Sequence, residues 1–527
     1  MLQRLAVGLL PTVFLTVLLA APVIRLMLEG GVAAVQGMPG ALWYDDYLRW
    51  RIVWTFLQAA MTCALALLLG LPVAWVLARY AFYGRALVLR LLMLPFVVPT
   101  LVAALGVLAL WGPRGLLSGW SGFHLQNTPW LLLYGNLFFN LCVVVRAGVD
   151  ALSQVSASRV AAARTLGATP WRAFWRVEWP AIAPWLASAL CLVFLYCFAG
   201  FGLALILGGQ RFATLEVEIF TLVAHELKLA EAGALAMLVL LLTGAVALAY
   251  AQVEKRLAMP ARADCIALRA PQGVRQWSVV ALAMSVLFFF CAAPLIAIVL
   301  RAVLAGPGAW SVLFEAETLR AMLNTVRFSM SALVLATLLG LTHALAARNS
   351  VWLRASAFLP FVVSPVTVAF GLLLLYPQWT ASLPLLVSAY ALLAYPFVAK
   401  SISSALDSLP DNLAQAARTL GATPWRCFWR LTLPLIAPAL RRGMAFAAAT
   451  SLGEFAVTLF LSRPEWTTLT TLIYQRLSIP GAANLDAALV LACVLMGLAL
   501  SAFLLIDPQL NKAGKSASKK PEQSNGL

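Results

Sequence analysis

Charge is scarce in this sequence. Only 11% of its 527 residues are Asp, Glu, Lys or Arg, while 63% are hydrophobic, which excludes a soluble globular protein. Histidine is scarcer still, and His124, His225 and His343 stand far apart. The eight cysteines are scattered, mostly within apolar runs, and no CxxC occurs. Neither a disulfide framework nor a metal site is indicated, so the cysteines read as small apolar packing residues. A phosphate-binding glycine loop is missing too. The single Gly-Lys-Ser, at 514–516, has Gln509 where such a loop needs glycine, and no strand precedes it. With no acid–base pair or nucleophile constellation in view, a membrane-bound enzyme ranks a distant third among function classes.

What the chain does have is long apolar runs. Runs of about 20 such residues are what a helix needs to cross a bilayer core. Twelve occur, at roughly 5–28, 52–78, 88–111, 130–150, 181–208, 233–253, 277–304, 322–346, 355–376, 382–404, 436–462 and 484–506. The expected fold is therefore an all-α integral membrane protein. The first run is too long for a signal peptide and lacks a clear cleavage site, so it reads as a retained helix. With both termini on one side, about 25 of the 37 basic residues fall on that side and about 11 on the other. The termini are thus expected in the cytoplasm. The net charge of +17 is mostly this bias, and basic residues spread over short loops do not suit nucleic-acid binding.

The chain also repeats itself. Residues 164–184 and 418–438 are identical at 16 of 21 positions, at a fixed offset of 254. Matches at the same offset continue with Ala151-Leu152 and Ala405-Leu406, with Phe201 and Phe455, and with Thr214-Leu215 and Thr468-Leu469. Upstream, Pro-Phe-Val-Val at 95–98 and 360–363 shows a different offset, so the halves differ by loop insertions. The expected organisation is a first half at 1–253, a cytoplasmic linker at 254–276, a second half at 277–506 and a basic, disordered tail at 507–527. Six spans per half give both halves the same topology, a parallel repeat.

Each repeated loop has a specific local reading. Gly167 suits the left-handed position just past a helix end. Thr169 is a good N-cap and Pro170 a good first helical residue. A short helix over about 170–177 then places Trp171, Phe174 and Trp175 on one face, with Arg172 and Arg176 an i,i+4 pair elsewhere. The second loop repeats this with Gly421, Thr423, Pro424, Trp425, Phe428 and Trp429, plus Arg426 and Arg430. A helix about 12 Å long is marginal alone, so its aromatic face needs a docking surface.

These loops resemble the cytoplasmic signature loop of permease subunits of bacterial ABC importers, whose pattern is Glu-Ala-Ala, three residues, Gly, nine residues, Ile-x-Leu-Pro. Here Ala161-Ala162-Ala163 and Gln415-Ala416-Ala417 stand for Glu-Ala-Ala. Val177 and Leu431 stand for Ile, and Pro180 and Pro434 close the pattern. The signature Glu is missing from both copies, and Trp179 replaces Leu in the first. The resemblance implies two fused halves of the type I ABC importer permease fold in a bacterial inner membrane. The loops, about 151–180 and 405–434, would be the coupling sites for a cytoplasmic ATPase dimer. A periplasmic binding protein would deliver the solute. ATP and magnesium would be bound by the ATPase and none by this chain, which would not itself be an enzyme.

A narrower resemblance is to the permeases of bacterial thiamine importers. It rests on Trp111-Gly-Pro-Arg-Gly-Leu-Leu, Phe138-Phe-Asn-Leu, Leu207-Gly-Gly-Gln, Thr214-Leu-Glu-Val-Glu-Ile-Phe, Ser451-Leu-Gly-Glu-Phe and Leu472-Ile-Tyr-Gln-Arg. It implies transport of thiamine or its phosphates; fused iron(III) permeases share the architecture and are the near alternative. Glu454 is the one acidic residue placed inside an expected span, and an intramembrane carboxylate is expensive enough to be a functional candidate. With Phe198, Phe201 and Phe455 it would line a path for a cationic, aromatic solute, or else it is hydrogen-bonded within the bundle. Its repeat counterpart is Gly200. The alternative of another class, an ion-coupled secondary transporter of twelve helices, would need more intramembrane ion-coupling groups than Glu454 and would not need docking loops.

Overall fold

A computed structural model describes residues 2–35, 44–122, 124–256, 266–348, 350–380, 382–461 and 463–506. The tail at 507–527 and the middle of the linker, 257–265, lie outside the described residues. Helices joined by turns and short loops make up the described chain, and its one β feature is an isolated backbone bridge between Tyr80 and Arg269.

Among the described residues, ten helices are long and apolar enough to cross a membrane, including Gly8–Val32, Asp46–Arg79, Pro129–Ser153, Pro170–Phe198 and Ala482–Ile506. Four of the twelve expected spans are broken, 88–111 and 181–208 in the first half and 355–376 and 436–462 in the second, and the last two fall outside the ten. The run at 355–376 is two helices, Trp352–Val362 and Pro365–Leu375, bent by 96°. Proline disfavours the helical conformation in the residue before it, and Ser364 is extended and caps the second helix instead. The run at 436–462 is helix Leu433–Leu452, a break, then the short helix Ala456–Leu461. Arg441 and Arg442 sit in the middle of Leu433–Leu452 and keep it out of the ten.

The two halves repeat element by element. Asp46–Arg79 corresponds to Ala316–Ala347, Pro129–Ser153 to Leu383–Asp407, and Trp179–Phe198 to Leu433–Leu452. Each half opens with a helix interrupted by a π turn, Thr16–Ala20 in one and Phe288–Ala292 in the other. The opening helices cross over. Ala21–Val35 packs on Pro365–Leu375 of the second half, and Ala293–Leu304 packs on Thr100–Trp111 of the first. Glycine permits both crossings. A Cβ on Gly371 would lie 3.0 Å from the Pro22 carbonyl oxygen, and one on Gly106 would lie 2.7 Å from the Pro294 carbonyl oxygen. Small residues let membrane helices approach backbone to backbone. The exchange ties each half to the other.

Candidate coupling surface and central cavity

Each repeated loop opens with an exposed helix of nine residues, Ala157–Thr165 and Asp411–Thr419. Gly167 ends the first at φ +83° and Gly421 the second at φ +80°. The Ala168 N–H donates to the Ala163 carbonyl at 3.0 Å, and the Ala422 N–H donates to the Ala417 carbonyl at 3.0 Å. This is the left-handed helix stop that glycine allows. It assigns a place to Ala162, Ala163, Ala416 and Ala417, in the last turns before the stop.

Thr169 Oγ1 then accepts from the Arg172 N–H at 3.3 Å, and Thr423 Oγ1 from the Arg426 N–H at 3.3 Å. Pro170 and Pro424 take the first helical position. The expected separate helix over 170–177 is not formed. Helix Pro170–Ala173 passes through a π turn, Phe174–Glu178, straight into the span Trp179–Phe198. Pro180 is the reason, since proline has no N–H to donate back along a regular turn. Pro434 stands in the same place after the π turn Phe428–Thr432. The π turns at Thr16–Ala20 and Phe288–Ala292 likewise end two residues before Pro22 and Pro294.

The aromatic residues stand out from this frame. Trp171 is 69% exposed and Trp425 70%. Trp175 and Trp429 are exposed, Phe174 and Phe428 half-buried. The tryptophans pair at 5.6 Å in the first loop and 5.5 Å in the second. Leu166 and Leu420 are 88% exposed beside the glycine stops. These leucines escaped the sequence reading, although Thr-Leu-Gly was in plain sight in both copies. Arg172 and Arg426 are exposed as well. Two exposed apolar patches of matching composition, rimmed by arginine, are candidate docking surfaces.

The second candidate site is a cavity of about 330 Å³ between the halves. Residues in equivalent places line it from either side, Gly200 with Glu454, Phe201 with Phe455, and Val98 with Val363. It sits where the spans break. Helix Trp179–Phe198 stops before Gly202–Leu207, and Leu433–Leu452 stops before Ala456–Leu461. Such breaks free backbone groups, and within a membrane they are tolerated where they line a cavity. Glu454 lies in the second break, buried, and its Oε1 accepts from the Val457 N–H at 3.1 Å. It therefore lines the cavity and caps the following helix together. The rings of Phe201 and Phe455 stack at 5.8 Å. Phe198 does not line the cavity. It lies instead among Phe56 and Phe194, with ring centroids 6.5 and 5.6 Å away.

The sequence matches the family described as "binding-protein-dependent transport system inner membrane component" over residues 66–258, and again over 274–507. The chain belongs to that family. The double match makes it a permease of two fused halves. It is similar to thiamine transport system permease proteins of several bacteria. It is 26% identical to that of Haemophilus influenzae over 90% of this chain and 92% of the relative. The Escherichia coli protein is 27% identical over 95% and 96%. That of Brucella abortus is 28% identical over 95% and 94%.

The permease also buries more charge than its sequence announces. Glu454 is not alone. Glu216 and Glu218 are buried on helix Leu215–Ala224, a stretch expected to connect spans. Glu218 accepts from the Tyr47 hydroxyl at 2.9 Å and lies 3.4 Å from Arg51. Glu216 has Ser364 of the other half beside it. Beneath the first loop, Arg79 and Glu178 form a buried ion pair at 2.6 Å. The linker adds to this side. The Ala81 N–H donates to the Arg269 carbonyl at 2.9 Å, and the linker helps to enclose a second cavity of about 640 Å³ beside Trp171 and Phe174. A polar network of Gln58, Asn136 and Asn140 was missed too. Its signal was in the sequence, since Gln58 falls inside the expected span 52–78 and Asn136 and Asn140 inside 130–150, and polar groups within spans are functional candidates.

Proposed function

We propose that this permease imports thiamine or its phosphates, handed over by a periplasmic binding protein and driven by a cytoplasmic ATPase dimer seated on the two repeated loops. The observation that carries the transport mechanism is the pair of exposed loops, alike in glycine stop, N-cap, π turn and tryptophan cluster. A two-fold partner needs two such surfaces. In this reading the chain supplies docking surfaces, and ATP and magnesium are bound by the partner ATPase. The bias of Lys and Arg supports cytoplasmic loops and termini in a bacterial inner membrane.

The solute is inferred from two things together. Relatives named for thiamine transport align over nine-tenths or more of the chain. The central cavity presents what an aromatic cation binds, the stacked rings of Phe201 and Phe455 and the carboxylate of Glu454. Binding-protein delivery lets this site be weak, since it has only to pass the solute on by alternating access.

The test is uptake in cells lacking other thiamine routes, carrying the permease with its cognate binding protein and ATPase. ATP-dependent thiamine uptake is expected. Rescue of growth on limiting iron without rescue on limiting thiamine would replace thiamine with iron(III). Uptake that persists with the ATPase removed and follows an ion gradient would replace the ABC mechanism itself.

A further inference from the structure

The cavity has two chemically different walls. On the second half, Glu454 stands where the first half has Gly200. On the first half, Asn136 and Asn140 stand where the second has Tyr390 and Ala394. Tyr390 is spent on a hydrogen bond with Thr458. The amides of the first half are held in a chain. The Gln58 Nε2 donates to the Cys197 carbonyl at 2.8 Å, and its Oε1 accepts from Asn136 Nδ2 at 2.7 Å. Asn140 Nδ2 donates to the Asn136 carbonyl at 2.9 Å and approaches Cys197 Sγ at 3.2 Å. A carbonyl can only accept, so this contact fixes which end of the Asn140 amide is nitrogen.

The other end is left over. Asn140 is 3% exposed, lines the cavity, and its Oδ1 has no hydrogen-bond partner among the described residues. A buried acceptor without a donor is costly, and a native one asks for an explanation. We infer that Asn140 Oδ1 is a recognition group of the central cavity, accepting an N–H from the transported solute. This deepens the thiamine reading and rests on it. The class of ligand it selects is a heteroaromatic cation bearing an amine. On thiamine that donor is the exocyclic amine of the pyrimidine ring, with the cationic ring left to Glu454 and the Phe201–Phe455 pair. The cavity volume falls at the small end of the range of about 300–1,000 Å³ typical of small-molecule sites.

A site built to bond a donor rejects an analogue lacking it far more strongly than an apolar pocket does. The experiment therefore compares uptake of thiamine with that of the analogue carrying an oxo group in place of the amine. The binding protein and ATPase are common to all variants, so a change in the ratio belongs to the permease. Wild type is expected to prefer thiamine by about tenfold or more. Asn140→Leu removes the acceptor and is expected to bring the ratio to within about twofold, while Asn140→Asp keeps an acceptor and keeps the preference. Assembly with the ATPase, measured for each variant, separates misfolding from lost recognition. If Asn140→Leu does not assemble, the Asn140→Asp ratio decides alone. An unchanged ratio in an assembled Asn140→Leu, or a ratio lost in Asn140→Asp, overturns the inference and leaves thiamine transport standing. No thiamine uptake by wild type overturns the thiamine reading, and this ligand with it.

Discussion

The two halves agree where they face outward and disagree where they face each other. Their loops share 16 of 21 residues, the same left-handed glycine, the same capping threonine and the same π turn before proline. Their cavity walls keep Phe201 with Phe455 and Val98 with Val363, but set Glu454 against Gly200, and Asn140 lines the cavity from the first half only. The difference follows from what each surface meets. Two loops that serve a two-fold partner are held to one shape. A single small solute has no such symmetry, and a cavity around it gains by placing cation-binding and hydrogen-bonding groups on different walls.

The comparison breaks most visibly at the tryptophans. Trp171→Ala with Trp425→Ala is expected to lower uptake by more than tenfold while the permease stays folded, because buried aromatic anchors dominate interface energy. Each single change should cost about the same, since the two surfaces match. A large effect at one loop only would show that the partner treats them differently, and ATP-driven uptake of each variant at equal expression measures it.

The loops do differ underneath, and that difference predicts unequal stability. Glu178 has Thr432 as its counterpart, so the buried pair with Arg79 belongs to the first half. Arg79→Ala leaves the Glu178 carboxylate buried and alone, at an expected cost of about 3–5 kcal/mol. Thermal unfolding of the purified permease should show the loss, and replacing both partners by Met should recover much of it.

Smaller effects should again match between halves. Gly167→Ala and Gly421→Ala each force a side chain into the left-handed region, at about 1–2 kcal/mol. Among the described residues, chain neighbours apart, no atom lies within 4 Å of where either new Cβ would go, so the penalty is from the backbone alone and is expected to be equal. Glu454→Gln is the mildest. It keeps shape and removes charge, and uptake of a cationic solute should fall by tenfold or less, because an ion pair in a half-wet cavity contributes about 1 kcal/mol. A neutral solute should be unaffected, which radiolabel uptake of paired substrates resolves.

Much of this was legible in the residues. Apolar runs located the spans, and the internal repeat located both loops with their glycine, threonine and proline roles. The failures have physical causes. Pro180 and Pro434 looked like signature residues, yet each turns a short helix and a span into one helix by forcing a π turn. The break at Val363-Ser364 is a proline effect that an apolar run conceals. Phe198 and Phe201 are near in sequence, but the intervening break sends them to different surroundings. Glu216, Arg79 and Asn140 matter through partners distant in sequence, and hydropathy carries no information about pairing across the bundle.

The central claim is that both loops receive the same ATPase. Leu166 and Leu420 are exposed and lie beside the glycine stops, so they make good reporters. Single cysteines at these two places, in a chain freed of its other cysteines, should each cross-link to the ATPase through a short bifunctional reagent added from the cytoplasmic side. Addition from the opposite side should give no product. Cross-linking of both positions to the same ATPase polypeptide is the predicted result. Failure at both positions in a transporting complex, or labelling only from the periplasmic side, would contradict the account.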